Sequence, residues 1–156
     1  MSGLLPTAAA PLFERLCADA DAPAARAALD AAGLRASIAR EIGRLLDTRS
    51  HLTFDEFNAS PGSVIDYGLP DHSALSPRSG EDLERLRLAI TQALTRYEPR
   101  LIHPRVRVTG WPGRPERSHI RIDGGMRLGL EMRQVQFDLA ADPARIRAEP
   151  AGEVAR

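Results

Sequence analysis

The sequence changes period at Pro99, and no other feature limits the fold as tightly. Leu83, Leu86, Ile90, Leu94 and Tyr97 recur at three- and four-residue spacing, the stripe of an amphipathic helix. Ser79 stands three residues before Asp82, the spacing of an N-cap with an acid in the first turn, and Glu81, Asp82 and Glu84 complement the positive end of the helix dipole. Pro99 disfavours helical backbone at the residue before it and ends the run. Beyond it Ile102, Val106 and Val108 alternate with His103, Arg105 and Arg107, the period of two that marks a strand with one buried face. A helix that feeds directly into a strand implies an α+β domain: N-terminal helices and one long helix packed on a small, mainly antiparallel β-sheet.

Two further strands are expected around Asp123-Gly124-Gly125, at about 118–123 and 126–139. A three-residue loop there pairs Ile122 with Met126 and Ile120 with Leu128, apolar with apolar, whereas a two-residue loop pairs Ile122 with Arg127, so the longer loop is preferred. Met126, Leu128, Leu130 and Met132 then give way to Val135, Phe137 and Leu139 in the opposite phase. A bulge near Arg133-Gln134, or burial on both faces, would reconcile the two halves. Trp111 to Pro115 reads as a loop.

Ahead of the long helix, Ile38, Ile42, Leu45 and Leu46 form one stripe of a helix from about Ser37 to Asp47. Pro11 to Leu16 opens a short helical segment, and 18–36 offers few side chains for a core. Thr48 to Gly80 is broken by Ser60-Pro61-Gly62, Gly68, Pro70 and Ser76-Pro77, so it is neither one helix nor a central strand. It nevertheless carries Phe54, Phe57, Val64, Ile65, Tyr67 and Leu69, which implies an ordered segment laid across the core or a partner. The expected organisation is a flexible leader at 1–10, one domain at 11–140 and a disordered tail at 141–156.

At 156 residues the chain can bury a core without staples, and its lone Cys17 excludes an internal disulfide. No stretch approaches the roughly 18 apolar residues of a membrane span, so a cytoplasmic protein is expected, without membrane insertion. Its 21 basic and 21 acidic residues cancel, which argues against a nucleic-acid binder. The distribution is uneven: residues 100–133 hold 8 Arg against 3 acids, a band suited to fixed pairs at an interface. Lysine is absent, which reads as the codon bias of a GC-rich genome.

Candidate chemistry is thin. Asp55, Glu56, Asp66, Asp71 and Glu98 are acids of the kind glycoside hydrolysis uses, but no spacing singles out a pair, and Arg100 beside Glu98 favours the ionised form. Ser63, Asp66 and His72 contain the residue types of a triad without a nucleophile elbow. Asp71-His72 with His51, His103 and His119 has no metal-ligand spacing. No phosphate-binding glycine loop is present, and Trp111 alone interleaves the Arg band where nucleic-acid modules present several aromatics. The reading is of no catalytic residue, no cofactor, no metal and no small-molecule substrate.

Ser63-Val64-Ile65-Asp66-Tyr67-Gly68-Leu69-Pro70-Asp71 resembles the SVxDYGLPD signature of the TssE branch of the phage baseplate wedge family, also called lysozyme-like. Ser37-Ile38 with Leu45-Leu46-Asp47-Thr48-Arg49 is similar to the family's SI…LLNTR helix end, with Asp47 replacing the usual Asn. Glu98-Pro99-Arg100-Leu101 resembles its EPRL motif, and Pro11 to Leu16 its early Leu-Arg-Leu segment. The resemblance implies a structural subunit of a bacterial type VI secretion baseplate. Such a subunit joins the other wedge components (TssF, TssG, TssK) and links them to the contractile sheath (TssB, TssC). It implies Glu98, Pro99 and Arg100 in the sheath-like contact. Those three also form a helix stop flanked by an ion pair that needs no partner. Asp66, Tyr67 and Asp71 either dock on other wedge subunits or serve as core filler and turn caps. The alternative function is a peptidoglycan hydrolase.

Overall fold

The computed structural model of the chain describes Ala8 and residues 29–148. The expected leader (Ala8 apart), the short helix at Pro11–Leu16 and the end of the expected tail, 149–156, lie outside the described residues.

Helix α1 spans Ala31–Asp47, opened by the Asp30 carboxylate accepting from the Gly33 N–H at 2.7 Å. It begins a turn and a half earlier than the stripe from Ile38 suggested. Leu34, one turn before Ile38, is buried and belongs to the core, so the stretch up to Ala36 contributes more than expected. A short helix α2, Phe54–Ala59, starts at a reciprocal Thr53–Glu56 capping box, and one 3-10 turn follows at Val64–Asp66. Helix α3, Gly80–Tyr97, matches the expected long helix, with Ser79 as its cap accepting from the Asp82 N–H. Leu86, Ala89, Ile90, Ala93 and Leu94 are buried, and the two alanines let the helix lie close on the first strand.

Four strands complete the α+β fold: β1 Leu101–Trp111, β2 Arg114–Leu128, β3 Glu131–Ala141 and β4 Ile146–Ala148, antiparallel in the order β1-β2-β3-β4. Helix α3 packs on β1, and α1 packs against α3 and β4. One core joins the helical stripes to Leu101, Val106, Ile120, Ile122, Met126, Leu128, Val135, Phe137, Leu139 and Ile146.

The hairpin is not where the glycine pair suggested. Strand β2 runs straight through Gly124-Gly125, and the chain turns at Gly129-Leu130, with Gly129 left-handed at φ 61°. Leu128 pairs with Glu131, which sets Ile122 opposite Phe137 and Ile120 opposite Leu139. A two-residue turn of this register pairs even with odd positions. The phase change between Leu128 and Val135 is therefore the turn itself, and no bulge at Arg133-Gln134 is needed. At Gly124 buried Leu101 fills the space a side chain would take, and at Gly125 the flexible Met132 side chain lies there. A Cβ on Gly124 would lie 2.7 Å from Leu101 Cδ1, and one on Gly125 would lie 2.9 Å from Met132 Sδ.

A second correction lies in β1. Ile102 was expected on the buried face with Val106 and Val108, but the register shifts between Ile102 and Arg105, and His103 is left-handed at φ 51°. This bulge gives the core position to Leu101 and turns Ile102 to the other face. The expected loop at Trp111–Pro115 is a tight turn at Pro112-Gly113, with Trp111 paired to Arg114. Finally, β4 pairs with β3 inside the stretch expected to be disordered, and Ile146 is buried; its short Ile-Arg-Ala pattern is too brief to announce a strand.

Substituting Gly124 by Val tests the corrected hairpin. Overpacking against buried Leu101 should lower the unfolding free energy by about 1–3 kcal/mol in urea denaturation. A neutral effect would restore the turn at Gly124-Gly125.

Candidate interface site

The segment Ser63–Asp71 is held at both ends. Asp66 Oδ2 accepts from the Ser63 N–H and the Ser63 hydroxyl, both at 2.9 Å, and from the Ser60 hydroxyl at 3.1 Å. The bond from the Ser63 hydroxyl, supported by the other two, holds the Asp66 carboxyl below the usual carboxylate range against the opposing effect of burial. Three residues on, the Leu69 N–H donates to the Thr48 carbonyl at 2.9 Å and the Ser50 N–H donates to the Leu69 carbonyl at 2.8 Å. The segment is thereby stitched to the chain leaving α1. Gly68, at φ 114°, passes so close that a Cβ would meet the Thr48 carbonyl oxygen at 2.6 Å, so only glycine fits.

Helix α3 clamps the other side. The Arg96 guanidinium donates to the Phe57 carbonyl at 3.0 Å and to the Ser60 carbonyl, and lies over the Phe57 ring. The Tyr97 hydroxyl donates to the Ser63 carbonyl at 2.9 Å, and its ring meets Tyr67 edge to face at 5.3 Å. Tyr67 is half-buried, and burial raises its phenol above the ordinary range. Asp71 is exposed. Bonds from Ser73 hold its carboxyl low, and Arg49 Nε lies 3.8 Å away. What the segment offers outward is Val64, 90% exposed, and Ile65, 79% exposed.

Glu98-Pro99-Arg100 forms the junction between α3 and β1. Glu98 is only 2% exposed. Arg100 grips its carboxylate with two prongs, Nε to Oε1 at 2.8 Å and Nη2 to Oε2 at 2.6 Å, and Nη1 donates to the buried Ser37 hydroxyl of α1 at 2.9 Å. Pro99 is exposed and Arg100 partly so. The two motifs meet where Tyr67 packs on Tyr97, next in sequence to Glu98. Asp71 takes no part in that contact; its partners are Ser73 and Arg49.

Sequence reasoning did not find the clamps Arg49 and Arg96, and it set Val64 and Ile65 across the core or a partner; neither is in the core. The Ser63-x-x-Asp66 spacing was a readable cap signal, but it does not say which way Val64 and Ile65 face. Arg49 reaches the Ala144 carbonyl at 3.0 Å and His72 Nε2 at 3.3 Å, tying the signature segment to the β3–β4 turn. His72 is buried, and desolvation, then the Arg49 charge, pushes its imidazole below the ordinary histidine range despite the Asp142 backbone and the Asp71 and Asp142 charges.

Chemically this is a fixed polar framework around a small apolar knob. Asp66 and Asp71 are both held ionised, the opposite of what a glycosidase general acid needs. Among the described residues no group of three His, Cys, Asp or Glu side chains could hold a metal ion, and no helix is long and apolar enough to cross a membrane.

A family model described as baseplate wedge protein gp25 matches residues 32–129, from α1 to the hairpin turn. No curated protein and no solved structure matches the chain.

Removing Arg100 leaves the Glu98 carboxylate buried without its partner, so Arg100→Ala should cost about 3–5 kcal/mol. Glu98→Gln keeps the shape and one acceptor, and leaves an arginine that reaches water, for about 1–2 kcal/mol. Urea denaturation checks the order; equal, negligible losses would show the pair to be dispensable to the fold. His72 titrates lower folded than unfolded, so its contribution is complete above the unfolded value near 6.5 and is lost as pH falls below it. Wild type should therefore lose stability between pH 7.5 and 5.5 more steeply than His72→Gln. Parallel profiles in urea at the two pH values would exclude His72 as the source.

Proposed function

The chain belongs to the baseplate wedge protein gp25 family, whose members are structural baseplate components, and from that premise we propose that it is the TssE-type wedge subunit of a bacterial type VI secretion baseplate. In this reading it works in the bacterial cytoplasm, binds the wedge subunits TssF, TssG and TssK, and joins the wedge to the TssB–TssC sheath.

The observation that carries the reading is the contrast within Ser63–Asp71. Ser63, Asp66 and the Leu69 backbone are bonded within the chain, while Val64 and Ile65 stand in solvent on a turn tied to α3 by Tyr97 and to the chain leaving α1 by Leu69. Exposed aliphatic side chains on a preorganised support suit a protein contact, because little ordering cost remains on binding. Asp66 and Tyr67 act by holding that turn, and Asp71 is an exposed rim carboxylate beside it. At the other motif Pro99 and the outer edge of Arg100 are the parts a sheath or wedge partner can touch; Glu98 acts from inside by fixing Arg100. The hydrolase alternative finds no support in the carboxylates of the signature, both of which are held deprotonated.

Affinity purification of the tagged chain from its host should recover wedge and sheath subunits. Val64→Asp with Ile65→Asp should leave the urea midpoint unchanged and remove at least one of those partners. Recovery of the chain alone from cells assembling the machine, together with release of soluble fragments from peptidoglycan, would replace this reading with the hydrolase.

A further inference from the structure

The face of the sheet turned away from the helices carries a second, chemically different surface. Its cross-strand neighbours at one end are Ile102 on β1, Gly125 and Arg127 on β2, and Met132 and Gln134 on β3: Gly125 pairs with both Ile102 and Gln134, and Arg127 pairs with Met132. Arg105 adjoins them opposite Asp123. Asp123 is taken by Arg107, at 2.7 Å, and further along Asp138 is taken by Arg121, at 2.8 Å. Arg105 and Arg127 are exposed, and neither lies within ion-pair distance of a described carboxylate.

Two hollows flank Ile102. One, of about 280 Å³, lies among Ile102, Arg105, Gly125, Met132 and Gln134, with His103 and the Arg107-paired Asp123 also on its wall. The other, of about 370 Å³, lies among Leu34, Pro99, Arg100, Ile102 and Arg127. Both are at or near the small end of ligand cavities, about 300 Å³, and each suits one inserted side chain better than a whole metabolite.

The bulge shows that this patch is a built feature of the fold. Without it Ile102 would share the buried face with Val106 and Val108. The chain instead places His103, a residue with a Cβ, in left-handed backbone and so delivers a large aliphatic side chain to the open face. Gly125 keeps the floor beside it low, since a Cβ there would displace Met132 Sδ. The result is an apolar floor rimmed by two arginines without acid partners.

We propose that this end of the open sheet face is a docking site for an acidic, extended segment of a partner protein. The segment places one large aliphatic side chain beside Ile102 and Met132 and sets carboxylates against Arg105 and Arg127. The class of occupant follows from the surface. Two unneutralised guanidiniums select carboxylates, and the apolar floor selects an aliphatic residue between them. A nucleic acid would need several aromatic stacking platforms, and no Phe, Tyr or Trp lies among these residues, His103 being the one ring there; Trp111 sits at the opposite end of β1. The proposal goes beyond the wedge assignment and rests on it only for the occupant being a protein.

The test uses the full chain and a short fluorescent peptide with one leucine flanked on both sides by glutamates, followed by anisotropy at low and moderate salt. Saturable binding is expected, weakened about tenfold or more by Arg105→Glu with Arg127→Glu. Comparable weakening is expected when the peptide leucine becomes serine, and little change with Arg114→Glu, whose guanidinium lies over Trp111. Amide shifts of the unmutated chain on adding peptide should centre on Ile102, Gly125 and Met132, a readout independent of how the variants fold. Absent saturation, equal loss with Arg114→Glu, shifts centred elsewhere, or tighter binding of a single-stranded DNA of equal charge would each overturn the site. Failure here with wedge subunits still co-purifying would leave the baseplate assignment standing.

Discussion

The structure depends on the junction at which Glu98 and Arg100 close on each other. Helix α3 must stop, the chain must reverse into β1, and α1 must pack beside both. A buried carboxylate at that point is unfavourable alone, and the Arg100 fork removes the penalty only in one arrangement of helix end, strand start and Ser37 on α1. Aliphatic residues there would bury well too, but they would not specify the angle at which three elements meet. Pro99 adds the covalent part of the constraint by fixing the backbone between the two charges.

From that junction the remaining order follows in two directions. Along the helices, Tyr97 and Arg96 pin the irregular segment that carries Phe57 and Tyr67, and Thr48 and Ser50 hold its far end through backbone bonds. A stretch without a long element of its own is thus anchored at several points, because backbone atoms at Phe57, Ser63 and Leu69 find partners on α3 and on the chain leaving α1. Along the sheet, Leu101 enters the core immediately after Arg100, and the bulge at His103 then changes which side chains face inward.

What was legible in the sequence was whatever repeats. The stripe of α3, its Ser79 cap, its stop at Pro99 and the change to period two were all readable, because each is a local pattern with one physical meaning. Errors arose where two local meanings compete. Gly-Gly after an aspartate reads as a turn, yet Gly124 and Gly125 are strand residues whose absent side chains make room for Leu101 and Met132, a reason that exists only in three dimensions. Ile102 fits the alternation by identity and breaks it by backbone, since a bulge at His103-Pro104 leaves no period to detect. Strand β4 is too short to show one. At the site, the motif residues were found, but their division of labour was not: Asp66 and Glu98 face inward, and Val64 and Ile65, the most ordinary residues of the signature, face out.

The two exposed surfaces lie on opposite layers, the aliphatic knob with the helices and the arginine-rimmed hollow on the open sheet. On the two proposed contacts, a subunit built this way would hold two different partners at a fixed separation. Arg100 stands between them: it clamps Glu98 and Ser37 inside while its outer edge walls the hollow beside Ile102 and Arg127. Substitutions at Glu98 or Arg100 therefore damage fold and interface together, and a loss of assembly in such variants says little about which partner was lost. Val64, Ile65, Arg105 and Arg127 are exposed and bind nothing that the core needs. On the proposed contacts, they are the positions at which recognition would separate from stability, and one partner from the other.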